Sequence, residues 1–377
     1  MKKIRVGTLF SGIGAFEWAL KRLNIDHSIE FACDNGDVDL DSVDYAKELE
    51  KIRACDSLSE MKAYEKELYK AVRKTNYVEQ SYKANYDIAD ENYHYNVCLL
   101  DGNKYKGKVD ILVGGSPCQS FSMMGYQKGL EDARGTLFYE YARLVKEIEP
   151  KVFIYENVQG LLKHDKGNTW EVIRGIFDSL GYHYTYAVLN SKDYGIPQNR
   201  NRLFVVGFKD VGYIEKFSFP QPINLIYKLQ DFLIENCDEG YFEYGNVKNG
   251  LFEYKPINKV TGSVDPKHFL SDKVFKHVMA VGTKNYVTKP KTDLEIARPL
   301  LATMHKMHRA GVDNYVTIDG KLRRLTTREC LRLMGFGDDF KQVVSDTQLY
   351  HQAGNSIVSD IFIHIFPQII NTGVFEE

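Results

Sequence analysis

Over the first 210 residues, short apolar runs alternate with amphipathic stretches, and this alternation constrains the fold more than any other feature. IRVGTLF reads as a buried strand, followed by a helix from Ala15 to Leu23 with Phe16, Ala19, Leu20 and Leu23 at helical spacing. SIEFAC, VDILVGG, KVFIYENV, YTYAVLN and RLFVVGF supply further β-rich runs, with LFYEYARLVKEIEP and TWEVIRGIFDSLG as helical patterns between them. Strand alternating with helix predicts an α/β fold, a mostly parallel sheet covered on both faces. Ligands of such sheets sit at the carboxyl ends of the strands.

Two segments depart from this rhythm. Residues 37–83 are charged and rich in Lys, Glu and Tyr, and read as one or two exposed helices inserted after the second strand. From about 209 the pattern turns irregular, with scattered Gly, Asn, Pro, Tyr and Phe, as expected of a second, smaller domain. Helical patterning returns at TTRECLRLMGF. The final helix, SIVSDIFIHIFPQIIN, is apolar on more than one face and should pack back onto the core.

The chain has 377 residues, 44% hydrophobic and 27% charged, enough for two cored domains. No run approaches the roughly 20 apolar residues of a membrane span, and MKKIRVGTLF lacks a signal peptide's apolar core. The expectation is a cytoplasmic protein with no membrane partner. Its six cysteines form no CxxC pair and no cluster with zinc spacing, so neither a metal site nor a disulfide framework is expected. Net charge is −2, but residues 255–332 hold 16 Lys and Arg against 7 Asp and Glu, a net of +9. Such a segment suits phosphate contact, and equally a solvated face.

Four constellations carry chemistry. LFSGIGAF (9–16) follows a strand and opens a helix. Gly12 and Gly14 permit a tight turn and close ligand approach, and the helix N-terminus favours an electron-rich group. Asp34, at the end of the second strand, could accept hydrogen bonds from ribose hydroxyls. A plain tight turn accounts for the glycines equally well. GGSPCQSFS (114–122) places Cys118 in a loop beyond a strand end, after Pro117, where a nucleophile belongs better than a buried thiol. In YENV, Glu156 closes a strand; a half-buried carboxyl there can hold a proton, although a loop acid is the plainer reading. QNRNR (198–202) puts Arg200 and Arg202 on one side of an extended segment, as forked donors or as surface ion pairs.

In order, these pieces resemble the motifs of the DNA cytosine-C5 methyltransferase family. LFSGIGAF is similar to its first cofactor motif and GGSPCQSFS to its nucleophile motif. RGTLF (134–138), ENV (156–158), QNRNR, RLTTRECLRLMGF (324–336) and QAGNSIV (352–358) follow in family order. The likeness covers nearly the whole chain outside 37–83 and much of 210–295.

The resemblance implies a Rossmann-like catalytic domain at 1–208 and 346–377, which binds S-adenosylmethionine and releases S-adenosylhomocysteine. It implies a target-recognition domain at 209–345 and double-stranded DNA as partner. It further implies a chain acting as a monomer, with any cognate restriction endonuclease a separate protein. Cys118 would add to C6 of a cytosine flipped out of the duplex, making C5 nucleophilic. Glu156 would bind or protonate N3, and Arg202 would hold O2 with Arg200 in support. Phe10, Gly12, Gly14, Asp34, Asp101, Pro117, Leu137, Asn355 and Ser356 would line the cofactor site. Gln198, Lys306 and Arg309 would lie near DNA, the latter two with His305 and His308 in ATMHKMHRAG.

The chain departs from the family pattern in three places. Thr8 stands where many members have Asp, Asn35 where an aromatic often stacks on adenine, and Pro299–Leu300 where a Thr-Leu pair is usual. The alternative is a transfer-RNA cytosine-C5 methyltransferase of the same fold, against which the sizeable basic second domain argues. A cysteine hydrolase would need a His base, and neither His164 nor His183 lies in a matching motif. A catalytically idle binding protein would not need Cys118, Glu156 and Arg202 together.

Overall fold

The computed structural model describes residues 2–41, 43–117, 137–234, 247–248, 251–252, 264–283 and 286–376. Residues 118–136, Cys118 among them, lie outside these. Among the described residues the main sheet has seven strands: β1 (Ile4–Leu9), β2 (His27–Cys33), β3 (Tyr93–His94), β4 (Ile111–Gly114), β5 (Val152–Val158), β6 (His183–Asn190) and β7 (Asn201–Phe208). Their order is β3-β2-β1-β4-β5-β7-β6. β3, β2, β1, β4 and β5 are parallel, and β7 runs antiparallel to both β5 and β6. The mostly parallel α/β expectation therefore holds, with a reversed strand that apolar runs do not encode.

Alternate side chains of the strands feed two cores. Val6, Ile111, Val113, Ile154, Phe204 and Val206 pack on one face with Phe16 and Leu20 of α1 (Ala15–Arg22). Leu9, Leu112, Phe153, Tyr155, Leu203 and Val205 pack on the other with α5 (Leu137–Ile148) and α6 (Asn168–Ser179). Each fully buried Leu, Ile, Val or Phe contributes roughly 1.5–3 kcal/mol relative to exposure, which fixes the strand ends as a rigid platform.

The 37–83 segment corrects the expectation of one or two exposed helices. It forms α2 (Tyr45–Arg53) and α3 (Leu58–Tyr69) and leads into α4 (Tyr77–Asn85), capped by Asp44, Ser57 and Asn76. Leu49, Ile52, Met61 and Tyr82 are buried, and Lys62 and Glu65 form a buried ion pair of 3.0 Å. The charge-rich pattern hid this because the buried charges satisfy one another.

The expected second domain divides in its packing. Leu229, Phe232, Leu300, Leu325, Leu331, Met334, Phe336 and Phe340 share the core of β1 and α1. A separate small core joins Val278, at the end of α7 (Asp272–Val278), to Ala310, Tyr315 and Leu322. α8 (Thr327–Arg332) begins with a capping box between Thr326 and Glu329, and Glu329 also forms a fully buried pair of 2.7 Å with Arg323.

The C-terminal helices α9 (Asp346–Asn355) and α10 (Ser359–Ile370) return to the sheet, as expected for the final helix. Phe362 and Phe366 meet Phe16 edge-on, and buried Asp360 takes both ends of the Arg22 fork at 2.7 and 3.1 Å. Gly354 lies so close to the 301–302 backbone that a Cβ there would stand 2.1 Å from the Ala302 nitrogen. Backbone cannot yield as a side chain can. Gly354→Ala is expected to destabilise the chain by about 1–3 kcal/mol or more. A parental midpoint in chemical denaturation would show that the contact is not made. Among the described residues, no helix is long and apolar enough to cross a membrane.

Candidate active site

The carboxyl ends of β1, β2, β4 and β5 share one edge, and most of the predicted residues gather there. After β1 the backbone enters the left-handed region at Phe10 (φ 52°), Gly12 (φ 54°) and Gly14 (φ 77°). That conformation costs a β-carbon-bearing residue free energy, so Phe10 is held in place by its surroundings. Ser11 does much of the holding. Its hydroxyl accepts the Cys33 N–H at 2.9 Å, and its own N–H donates to the Cys33 carbonyl. Asp34 closes the turn, with Oδ2 accepting the Gly12 N–H and Oδ1 the Gly36 N–H, both at 2.8 Å. Burial raises the Asp34 pKa, and these two backbone donors oppose the rise.

Thr8 does not leave this turn without an acid. Its hydroxyl donates to Glu17 Oε1 at 2.7 Å, and the Tyr82 hydroxyl donates to the same oxygen at 2.6 Å. Glu17 is buried, and burial raises its pKa. Sequence reading missed this triad because Glu17 sits on α1 like any helix residue.

Asp101 is buried beyond β3, where Oδ1 accepts from both nitrogens of Asn103 and lies 3.6 Å from Arg53 Nε. Leu137 begins α5, half-buried against the second core. Asn355, at the end of α9, is exposed, and Ser356 beside it is buried.

The described segment that leads toward Cys118 is held against β5 at Gly115 and Ser116. The Ser116 hydroxyl meets the Tyr155 hydroxyl at 2.8 Å, and the Asn157 amide donates to the Ser116 carbonyl at 2.9 Å. A Cβ on Gly115 would stand 2.6 Å from the Glu156 carbonyl and 2.8 Å from its carboxylate. Glycine there lets the loop lie directly against Glu156. Pro117 follows, exposed.

Glu156 is not the end of its strand, since pairing continues through Val158. The register sets Glu156 opposite Phe204 and Val158 opposite Arg202, so Glu156 and Arg202 are diagonal neighbours on one face. Arg202 Nε lies 2.9 Å from Glu156 Oε1, and both side chains are mostly buried. Burial raises the Glu156 pKa, and the positive fields of Arg202 and Arg200 oppose the rise without overcoming it. A carboxyl poised in this way can accept or donate a proton.

Arg200 serves the site from behind. Its guanidinium is buried and donates to the carbonyls of Leu300, Gly354 and Ser356, each at 2.9 Å. It therefore ties QNRNR to the returning chain, while Arg202 reaches Glu156 directly. Gln198 requires a correction. It is fully buried, with its amide nitrogen donating to the Leu333 carbonyl and its oxygen accepting the Leu300 N–H, so it cannot touch DNA in this structure. Lys306 is exposed and Arg309 half-buried, in a turn where Met307 is left-handed.

Three of the four described cysteines make poor nucleophiles. Cys33 and Cys330 are buried, and burial holds both thiols well above the ordinary value. Cys98 is pushed up to about 12, chiefly by burial.

The C-5 cytosine-specific DNA methylase model matches residues 58–371. The chain belongs to that family. It is 38% identical over 256 residues to the Type II methyltransferase M.HhaI of Haemophilus parahaemolyticus, covering 68% of this chain and 74% of that protein. It is 37% identical over 266 residues to the Type II methyltransferase M.SsoII of Shigella sonnei, covering 70% of this chain and 64% of that one. The orphan methyltransferase M.SPRI of Bacillus phage SPR is 28% identical, with both chains fully covered. In three dimensions the chain matches the S. pombe Dnmt2 methyltransferase with a TM-score of 0.61 and 16% identity, over 99% of each chain. A mutant form of Spodoptera frugiperda DNMT2 gives 0.65 and 15%, over 98% of this chain and 100% of that one. The structural likenesses bear on the fold alone.

Proposed function

We propose that this chain transfers a methyl group from S-adenosylmethionine to C5 of a cytosine in duplex DNA, with Cys118 as nucleophile. The observation that carries this reading is Glu156, paired with Arg202 at 2.9 Å and packed directly against Gly115, three residues before Cys118.

The turn after β1 fits the cofactor. Among the described residues, a Cβ on Gly12 would meet nothing within 4 Å, which leaves room for a ligand beside Asp34 and the N-terminus of α1. Phe10, Gly12, Gly14, Asp34 and Asp101 would hold the adenosine, with Pro117, Leu137, Asn355 and Ser356 at the margins. S-adenosylmethionine, when bound, supplies an electrophilic methyl group.

The Cys118 thiolate adds to cytosine C6, and the electron pair displaced from the C5–C6 bond leaves C5 nucleophilic. Protonated Glu156 delivers its proton to N3, where negative charge develops, and Arg202 holds O2. Once C5 is methylated, N3 returns its proton to Glu156, the C5 proton passes to a water, and breakage of the sulfur–C6 bond restores the ring and the thiolate. The base must leave the stack to reach this site, at a cost of a few kcal/mol.

The DNA-recognition unit is assigned to 209–345, less the segments that share the catalytic core, with Lys306 and Arg309 facing the duplex. The chain acts as a monomer in the cytoplasm, associated with the nucleoid when on DNA, and any cognate endonuclease is a separate protein. Of the described basic residues in 255–332, Arg323 and Arg332 are buried against Glu329 and Asp338 and are not counted as phosphate contacts. Even four phosphate contacts would lower affinity by roughly 10²-fold between about 50 and 200 mM salt. A flat response in a fluorescence titration would remove the basic segment from the interface.

Methyl-labelled S-adenosylmethionine offered with mixed-sequence duplex DNA, and separately with bulk transfer RNA, tests the assignment. Label at cytosine C5 of DNA is expected. Label in RNA alone would retain the chemistry and overturn the substrate.

A further inference from the structure

We propose that α4 is a strut that presets the cofactor turn, with Asn76 and Tyr86 as its positioning residues; this rests on reading Gly12–Gly14 and Asp34 as the cofactor site. The two ends of this one helix grip the two halves of that site. At its N-terminus the Asn76 amide donates to the Asp34 carbonyl at 2.8 Å, while its oxygen caps the helix by accepting the Glu79 N–H at 2.9 Å. At its C-terminus the Tyr86 hydroxyl donates its one proton to the Gly14 carbonyl at 2.6 Å, with the Ile13 carbonyl also in reach at 3.0 Å. Between them, Tyr82 reaches Glu17, which also holds Thr8.

The same helix is braced against the returning chain. Gln352 of α9 accepts from the Ser81 hydroxyl at 2.8 Å and donates to the Tyr77 carbonyl at 3.0 Å, one turn before Asn355. The fit at both grips is tight. A Cβ on Gly36 would stand 2.1 Å from Asn76 Oδ1, and one on Gly14 would stand 2.3 Å from the Tyr86 ring. Asn76 thereby fixes the peptide after Asp34, and with it the Gly36 N–H that orients the Asp34 carboxylate. Tyr86 fixes the carbonyl side of the glycine turn. The insert thus acts on cofactor affinity and leaves the methyl-transfer chemistry to Cys118, Glu156 and Arg202.

Two substitutions separate positioning from folding. Asn76→Asp keeps the helix cap but loses the donor to Asp34. Tyr86→Phe keeps the ring packed on Trp18 and Tyr82 but loses the hydroxyl. By calorimetry, each is expected to weaken S-adenosylhomocysteine binding roughly tenfold. The KM for S-adenosylmethionine should rise in parallel, with kcat at saturating cofactor and the KM for DNA unchanged. A merely structural role would lower the unfolding temperature without this split. Parental S-adenosylhomocysteine affinity in both variants would overturn the strut. A parental protein that takes up no S-adenosylhomocysteine would instead overturn the cofactor reading, and the strut with it.

Discussion

Cys118→Ser is expected to lower single-turnover methylation by roughly 10⁴-fold or more, while duplex affinity stays near the parental value. A hydroxyl is far less ionised than a thiol at neutral pH and adds poorly to C6 of a pyrimidine. Binding comes instead from phosphates and base contacts elsewhere on the chain. Three of the four described cysteines offer no substitute: Cys33 and Cys330 are buried with raised thiol pKa values, and Cys98 is pushed up to about 12. The fourth, half-buried Cys55, also has a raised pKa and points its thiol at the Lys51 carbonyl. Rate and affinity should therefore separate cleanly. Turnover near the parental rate would remove Cys118 from the mechanism, and loss of both together would point to a folding defect.

Glu156→Gln is the second large effect, a fall in kcat of about 10²–10⁴-fold. The carboxamide oxygen can still accept from Arg202 Nε, so the fold should survive and the loss should be chemical. The pH profile carries the sign. Burial raises the Glu156 pKa, so the protonated form that serves N3 persists above the ordinary glutamate range and is lost as pH rises through the raised value. Activity should decline on that alkaline side, against the gain in Cys118 thiolate, and the Gln variant should lack the decline. The same shift has a stability consequence. A carboxyl that binds its proton more tightly when folded makes folding less favourable as pH rises from its unfolded to its folded pKa. Glu156→Gln removes that contribution. An unchanged pH profile in the Gln variant would assign the proton to another group.

The proposed catalytic set could be named from the sequence because its residue types and order are distinctive. GGSPC, ENV and QNRNR could be read as short words, and the structure brings Glu156 and Arg202 within 2.9 Å. Their pairing was not itself legible. It depends on the register of β5 against β7, an antiparallel contact that apolar runs do not encode. Gln198 shows the limit of a motif: its neighbours serve the site, but its own amide is consumed between the Leu300 and Leu333 backbones. The 37–83 insert was the least legible part. Its value lies in long-range polar contacts such as Asn76 to Asp34 and Arg53 to Asp101, and such contacts leave no periodicity behind.

The covalent step is the centre of this account, and it can be captured. Fluorine at cytosine C5 cannot leave as a cation, so the methylated adduct has no route to expel the thiol. The protein would be incubated with S-adenosylmethionine and a duplex carrying 5-fluorocytosine at its methylation site, then denatured and analysed by mass spectrometry. The account predicts a denaturant-stable protein–DNA species whose modified peptide contains Cys118. An absence of any adduct, with ordinary duplex still methylated under the same conditions, would contradict it.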